Sequence, residues 1–192
     1  FNLSIEDGLA QSQATCLAQD KWGRLWIGTL GGLSVYDGAQ FATFSTRDGL
    51  PSGTITCLAA HPDGRVWVGT ARGLVVWRGG QFYPVKLPAP PVQLAVEGVS
   101  RGVCCLAKGR VYRVDGKGVK DVGLDSVTAI LGDTNQQVGL WVALADGRIE
   151  VIRNTELLRI PDNKPLSVEG LFPVARMFFA HNRARMLISP RG

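Results

Sequence analysis

The sequence predicts an all-β fold of repeated four-stranded antiparallel sheets, and three observations carry the prediction. Residue patterns recur 41 positions apart with no gap between the copies. Glycine-centred turns cut the chain into strand-length segments rich in β-branched and aromatic residues. No helical 3.6-residue periodicity survives those glycines.

The repeat is dense in the first two units. Asp7-Gly8-Leu9 returns as Asp48-Gly49-Leu50, and Thr15-Cys16-Leu17-Ala18 as Thr56-Cys57-Leu58-Ala59. Gly23-Arg24-Leu25-Trp26-Ile27-Gly28-Thr29 returns as Gly64-Arg65-Val66-Trp67-Val68-Gly69-Thr70, and Gln40-Phe41 as Gln81-Phe82. With Trp26 and Trp67 as markers, Cys104, Trp141 and Met186 follow at spacings of 37, 37 and 45. The third unit keeps Gly109-Arg110-Val111-Tyr112, and the fourth keeps Leu140-Trp141-Val142 and Gly147. Val174 to Gly192 aligns to Ile55 to Gly73 as part of a fifth unit.

In the first unit the innermost strand is expected at about Ala14 to Gln19, followed by a turn through Asp20 to Gly23. The second strand runs from about Arg24 to Thr29 and ends at Gly31-Gly32, where a positive φ costs a glycine little. The third is Leu33 to Tyr36, closed by Asp37-Gly38, and the fourth is about Gln40 to Ser45. Four such strands in about 40 residues are the signature of a propeller blade, so the predicted architecture is a β-propeller. One blade cannot bury both of its faces, so blades must stack radially. Trp26 and Trp67 are then expected to fill the gaps between neighbouring sheets, with Gly28 and Gly69 leaving room on the same face.

The blades fall at about 7–48, 49–87, 88–124 and 125–161, with 162–192 a partial blade. Residues 1–6 match an outermost strand and are expected to belong to a closing blade. The chain thus holds four to five blades, and its ring is expected to be incomplete.

Composition narrows the function. The net charge is +5, but the basic residues are scattered, with a loose cluster only at Arg176, Arg183, Arg185 and Arg191. A nucleic-acid surface wants a dense basic stripe interleaved with aromatics, so nucleic acid is not an expected partner. No apolar run reaches the roughly 18 residues of a membrane span. The chain opens at Phe1 without a signal peptide or a methionine, and an upstream segment is expected. The four cysteines lack the paired spacing of a zinc site; Cys16 and Cys57 read as buried small residues. Cys104 and Cys105 are expected on opposite faces of one strand.

The search for chemistry finds no catalytic, cofactor or metal set. His61 and His181 are the only histidines, and both fall in turns between first and second strands, where a solvated role is expected. Asp20, Asp63 and Asp133 share those turns, where carboxylates accept bonds from nearby amides. Gly31-Gly32 and Gly79-Gly80 open no helix and precede no Gly-Lys-Ser, so neither is a phosphate loop. Trp22 lies in a turn and is a candidate exposed contact.

Trp26-Ile27-Gly28-Thr29, Gly32-Leu33, Tyr36-Asp37-Gly38, Phe41 and Asp48-Gly49-Leu50-Pro51 together resemble the two-component regulator propeller repeat. The resemblance covers residues 1–82 well and 127–151 faintly. It implies a non-catalytic sensor module at the periplasmic or extracellular face of a bacterial inner-membrane signalling protein. Family members include histidine kinases, hybrid kinases and diguanylate cyclases, and the membrane would be reached through segments outside this sequence. The alternatives are a propeller enzyme similar to streptogramin lyases or lactonases, and a protein-interaction scaffold.

Propellers bind with loops at one end of the channel. The blade connections and the turns after second strands share one end, which here carries Gln11, Gln13, Ser52, Thr54, Arg72 and Asp146. Their mixed hydroxyl, amide and charged groups suit a small molecule, sugar or peptide. An incomplete ring is also expected to be able to pair with a second copy to shield its open faces.

Overall fold

The computed structural model describes residues 4–96, 102–132, 139–153 and 156–159. The first sheet holds β1 (Ala14–Gln19), β2 (Leu25–Thr29), β3 (Leu33–Tyr36) and β4 (Phe41–Phe44). A short 3-10 turn, Thr46–Asp48, leads to the second sheet. That sheet holds β5 (Ile55–Ala60), β6 (Val66–Thr70), β7 (Gly73–Arg78) and β8 (Gln81–Val85). The third is β9 (Gln93–Val96), β10 (Val103–Ala107), β11 (Arg110–Asp115) and β12 (Gly118–Asp121). The fourth is β13 (Val127–Gly132), β14 (Leu140–Leu144), β15 (Ile149–Arg153) and β16 (Glu156–Arg159). Each is a four-stranded antiparallel meander whose first strand lies innermost, so the described residues form four propeller blades. The expected partial blade at 162–192 lies outside the described residues.

Three apolar layers hold the blades side by side. Trp26, Leu33, Ile55, Val66 and Val68 close the gap between blades one and two. Trp67, Leu74, Leu94, Cys105 and Val114 close the next. Cys104, Val111, Ile130, Leu140 and Val142 close the third. Trp26 is 0% and Trp67 3% exposed, each in the equivalent gap. Cys104 and Cys105 serve different gaps, as strand alternation demands. A Cβ at Gly28 would stand 2.5 Å from Cys16 Sγ and 2.7 Å from Ile55 Cγ2, so glycine is what lets blade two approach.

The recurring Asp-Gly-Leu is a blade connector. Asp48 accepts bonds from the N–H and hydroxyl of Ser45 at 2.8 and 2.9 Å. Gly49 turns at φ 101, which favours glycine, and Leu50 drops into the first inter-blade layer. Ser4, Asp7, Gly8 and Leu9 repeat the arrangement.

Two expectations change here. Residues 1–6 were expected in an outer strand; Ser4 to Gly8 instead form a turn in which the Asp7 carboxylate accepts from the Ser4 N–H and hydroxyl, and residues 1–3 lie outside the described set. Gly31-Gly32 needs no positive φ. Its glycines instead yield space, since a Cβ at Gly32 would meet Phe44 O at 2.9 Å. The Thr29 hydroxyl ties this turn, donating to Gly32 O at 2.8 Å and accepting from Gly31 N and Gly32 N. Thr70 clamps the second blade in the same way, donating to Gly73 O at 2.9 Å.

Candidate functional site

The blade array has two ends, and they differ in chemistry. At one end, linkers enter the inner strands beside the turns that follow each second strand; all six expected ligand residues map there. Gln11 packs over Gly31, and its Oε1 is buried with no hydrogen-bond partner. Thr54 reaches from blade two to Leu30 O at 3.4 Å, while Ser52 Oγ accepts from Thr54 N at 3.2 Å. Gln11, Ser52 and Thr54 are therefore gathered around the Leu30–Gly32 turn. Arg72 is exposed in the next turn, its N–H on Thr70 Oγ1 at 3.3 Å. Gln13 is exposed at the entry to β1. Asp146 stands on blade four, tied to Arg148 Nε at 2.7 Å and Arg148 N at 3.0 Å. These bonds hold its carboxyl below the usual carboxylate range.

At the other end, the turns between first and second strands form a polar network. Asp20 has its side chain fully buried, and each oxygen accepts twice. Oδ1 takes Trp22 N at 3.0 Å and Arg24 N at 3.1 Å. Oδ2 takes Arg24 Nε at 2.8 Å and the Trp26 indole Nε1 at 2.9 Å. Burial pushes this carboxyl up, but the four donors outweigh it and leave its pKa below the ordinary value.

Blade two has the same turn with different occupants. His61 stands where Asp20 stands, and Trp67 Nε1 is buried without a partner. His61 was expected in solvent, but it is only 8% exposed, held in its turn by its N–H on Arg65 O at 2.8 Å and by its ring nitrogen on Asp63. Its Nδ1 lies 3.2 Å from Asp63 N and 2.9 Å from Asp63 Oδ1. Burial raises Asp63, yet the Arg65 side chain and N–H, with His61, bring it to about 2. Asp133 and His181 lie outside the described residues.

Trp22 is 60% exposed, as a turn tryptophan should be, and it spans the two blades. Its ring overlies Gly64, with Lys21 Nζ 4.5 Å and Arg24 Cζ 5.0 Å from the ring centroid. Lys21 Nζ donates to Asp63 O at 2.8 Å.

Between the ends, the inner strands wall a concave space of about 310 Å3. It is lined by the last residues of β1, β5 and β13 and by β9, nearer the Asp20 end than the six expected residues. Its walls show a device that residue types alone did not reveal. Thr15 Oγ1 donates to Ile55 O at 2.8 Å, and Thr56 Oγ1 to Pro91 O at 2.8 Å, fastening each inner strand to the next. Val92 occupies that position in blade three and has no hydroxyl. There Gln93 takes over: its Nε2 donates to Ile130 O at 2.7 Å and its Oε1 accepts from Ile130 N at 2.9 Å. The shared offset of Thr15 and Thr56 was the one sequence signal for these fasteners.

All four cysteines are free thiols. Burial pushes Cys57 up to about 12 and raises Cys105 and Cys16 as well. Among the described residues no three His, Cys, Asp or Glu gather as a metal site. No helix there is long and apolar enough to cross a membrane.

Comparison with known proteins follows the repeat. Residues 8–31 and 49–72 match the two component regulator propeller. No curated protein matches the chain. The extracellular domain of a candidate one component system from Bacteroides thetaiotaomicron is similar at 24% identity and a TM-score of 0.62, over 77% of this chain and 22% of that one. The extracellular domain of a candidate hybrid two component system from the same organism is similar at 17% identity and a TM-score of 0.65, over 84% and 26%. Virginiamycin B lyase from Staphylococcus aureus is similar at 17% identity and a TM-score of 0.61, over 79% and 57%. The chain thus spans about a quarter of those extracellular domains, and likeness at these identities establishes the propeller fold.

Proposed function

We propose that this chain, whose residues 8–31 and 49–72 are two component regulator propeller repeats, is the ligand-sensing part of a membrane-bound bacterial signalling protein and does no bond chemistry itself. The observation that carries the reading is the pairing of that repeat with a fold shared by extracellular sensor domains. The side chains support it. Asp20, Asp63, Arg24 and Arg65 are engaged in turn structure, and burial raises the thiol pKa of Cys16, Cys57 and Cys105. Binding would act by favouring one arrangement of blades over another, passed on to segments that follow in the full protein. The location that goes with this reading is the periplasmic or extracellular side of the inner membrane.

A propeller lyase is the competing reading, favoured by the likeness to virginiamycin B lyase. One experiment separates the two. The full chain is screened by thermal shift against sugars, peptides and a streptogramin B, and each stabilising compound is then recovered and weighed by mass spectrometry. Sensing predicts a compound that raises the melting temperature and returns unaltered; a compound that returns with a bond cleaved or eliminated overturns the proposal.

A further inference from the structure

Gln93 shows what the channel wall recognises. Its primary amide meets both the N–H and the C=O of Ile130, at 2.9 and 2.7 Å. A neutral carboxamide is one of the few groups that presents a donor and an acceptor side by side. Ile130 offers those two groups because it is opposite Val142 in a pair whose main-chain groups point away from β14. The same register sets Leu17 opposite Ile27 and Leu58 opposite Val68. All three inner strands also begin with the same irregularity, at Ala14/Cys16, Ile55/Cys57 and Val127/Ala129. Leu17 and Leu58 therefore present the same donor–acceptor pair to the channel. The residue one blade back from Leu58 cannot fill its pair. Cys16 stands at the position of Gln93, so the side chain that would cross to Leu58 is a thiol too short for the task.

The rest of the lining agrees with this chemistry. Among the described residues that line the space no side chain is charged; Gln19 is polar beside Gln93, and the rest are small or aliphatic, as at Ala18, Ala60 and Leu94. A carboxylate or phosphate placed there would lose hydration without a counter-charge. We infer that the groove along the inner strands, centred on Leu58, binds a neutral amide of the peptide type through main-chain hydrogen bonds, with the Gln93–Ile130 pair as its built-in counterpart. Extended peptide recognises strand edges by the same bonds. This inference rests on the ligand-binding reading above and gives it a ligand class.

The test has two arms on the full chain. In the first, uncharged N-acetyl-trialanine amide is titrated into the wild-type protein while backbone amide resonances are followed by NMR. Saturable shifts centred on Leu58 and Leu94 are expected, and sodium acetate at the same concentration should produce none. Shifts spread over the surface, or equal for acetate, overturn the inference. In the second, Gln93→Ala exposes the Ile130 pair. The melting temperature should fall, and about 100 mM propionamide should recover about half of the loss, while N,N-dimethylpropionamide, which has no N–H, and propionate recover none. Equal recovery by the dimethyl amide overturns it. Should Gln93→Ala fail to fold, the first arm decides alone. Failure of both arms removes the amide groove and leaves sensing intact, because the thermal-shift screen reads binding at any face.

Discussion

Asp20→Ala is the substitution whose cost follows most directly from the structure. The carboxylate is fully buried and holds four donors, so its removal orphans more than one group. The Trp26 indole N–H, in a side chain with no solvent exposure, loses its acceptor at a cost of about 1–3 kcal/mol. The two main-chain N–H groups of the turn lose theirs at about 1 kcal/mol, as when a cap is removed. Arg24, one-third exposed, turns to water and adds less than about 1 kcal/mol. The expected loss is about 2–5 kcal/mol, or roughly 10 °C in melting temperature for a chain of this length. Asp63→Ala provides the internal standard. Asp63 lies in the equivalent turn with its side chain 38% exposed, and its loss should cost about 1 kcal/mol or less. Urea and thermal unfolding of both variants, followed by tryptophan fluorescence, read the difference. The pH dependence has a definite sign. Both carboxyls are held below the unfolded value of about 3.9, so their contribution is full above that pH and fades as pH falls through the folded value, about 2 for Asp63. The gap between wild type and Asp20→Ala should therefore be wide at pH 7 and narrow as pH falls below the unfolded value of about 3.9. Equal losses for the two variants, or a gap that widens in acid, would refute the network as described.

Three further outcomes follow from the same repeat. Trp26→Phe should cost about 1–2 kcal/mol more than Trp67→Phe in denaturant titrations, because only Trp26 gives up an indole hydrogen bond while both lose similar area. Val92→Thr should stabilise by about 0.5–1 kcal/mol, since it supplies the hydroxyl fastener found at Thr15 and Thr56 and replaces a valine that is 61% exposed. In native protein at pH 8, a thiol reagent should modify half-buried Cys16 first and Cys57 and Cys105 only on unfolding, as stopped labelling with mass analysis would show.

The sequence by itself determined the blade. A 41-residue offset between the first two units, turn glycines and the marker tryptophans Trp26, Trp67 and Trp141 specify four strands and an apolar gap to fill, because strand alternation and turn chemistry are local rules. The same offset placed Gln11, Ser52 and Thr54 together at one end, since topology alone decides which turns are neighbours. What tertiary structure decided are the contacts between units that look alike in sequence. Asp20 and His61 align, yet one satisfies its tryptophan and the other leaves Trp67 bare. His61 is buried within its turn, which no property of histidine announces. The channel wall was the least legible part: its donors and acceptors are main-chain groups that every residue carries, and Gln93 reaches Ile130 across 37 positions of chain. Only the radial packing of sheets brings such atoms within 3 Å of each other.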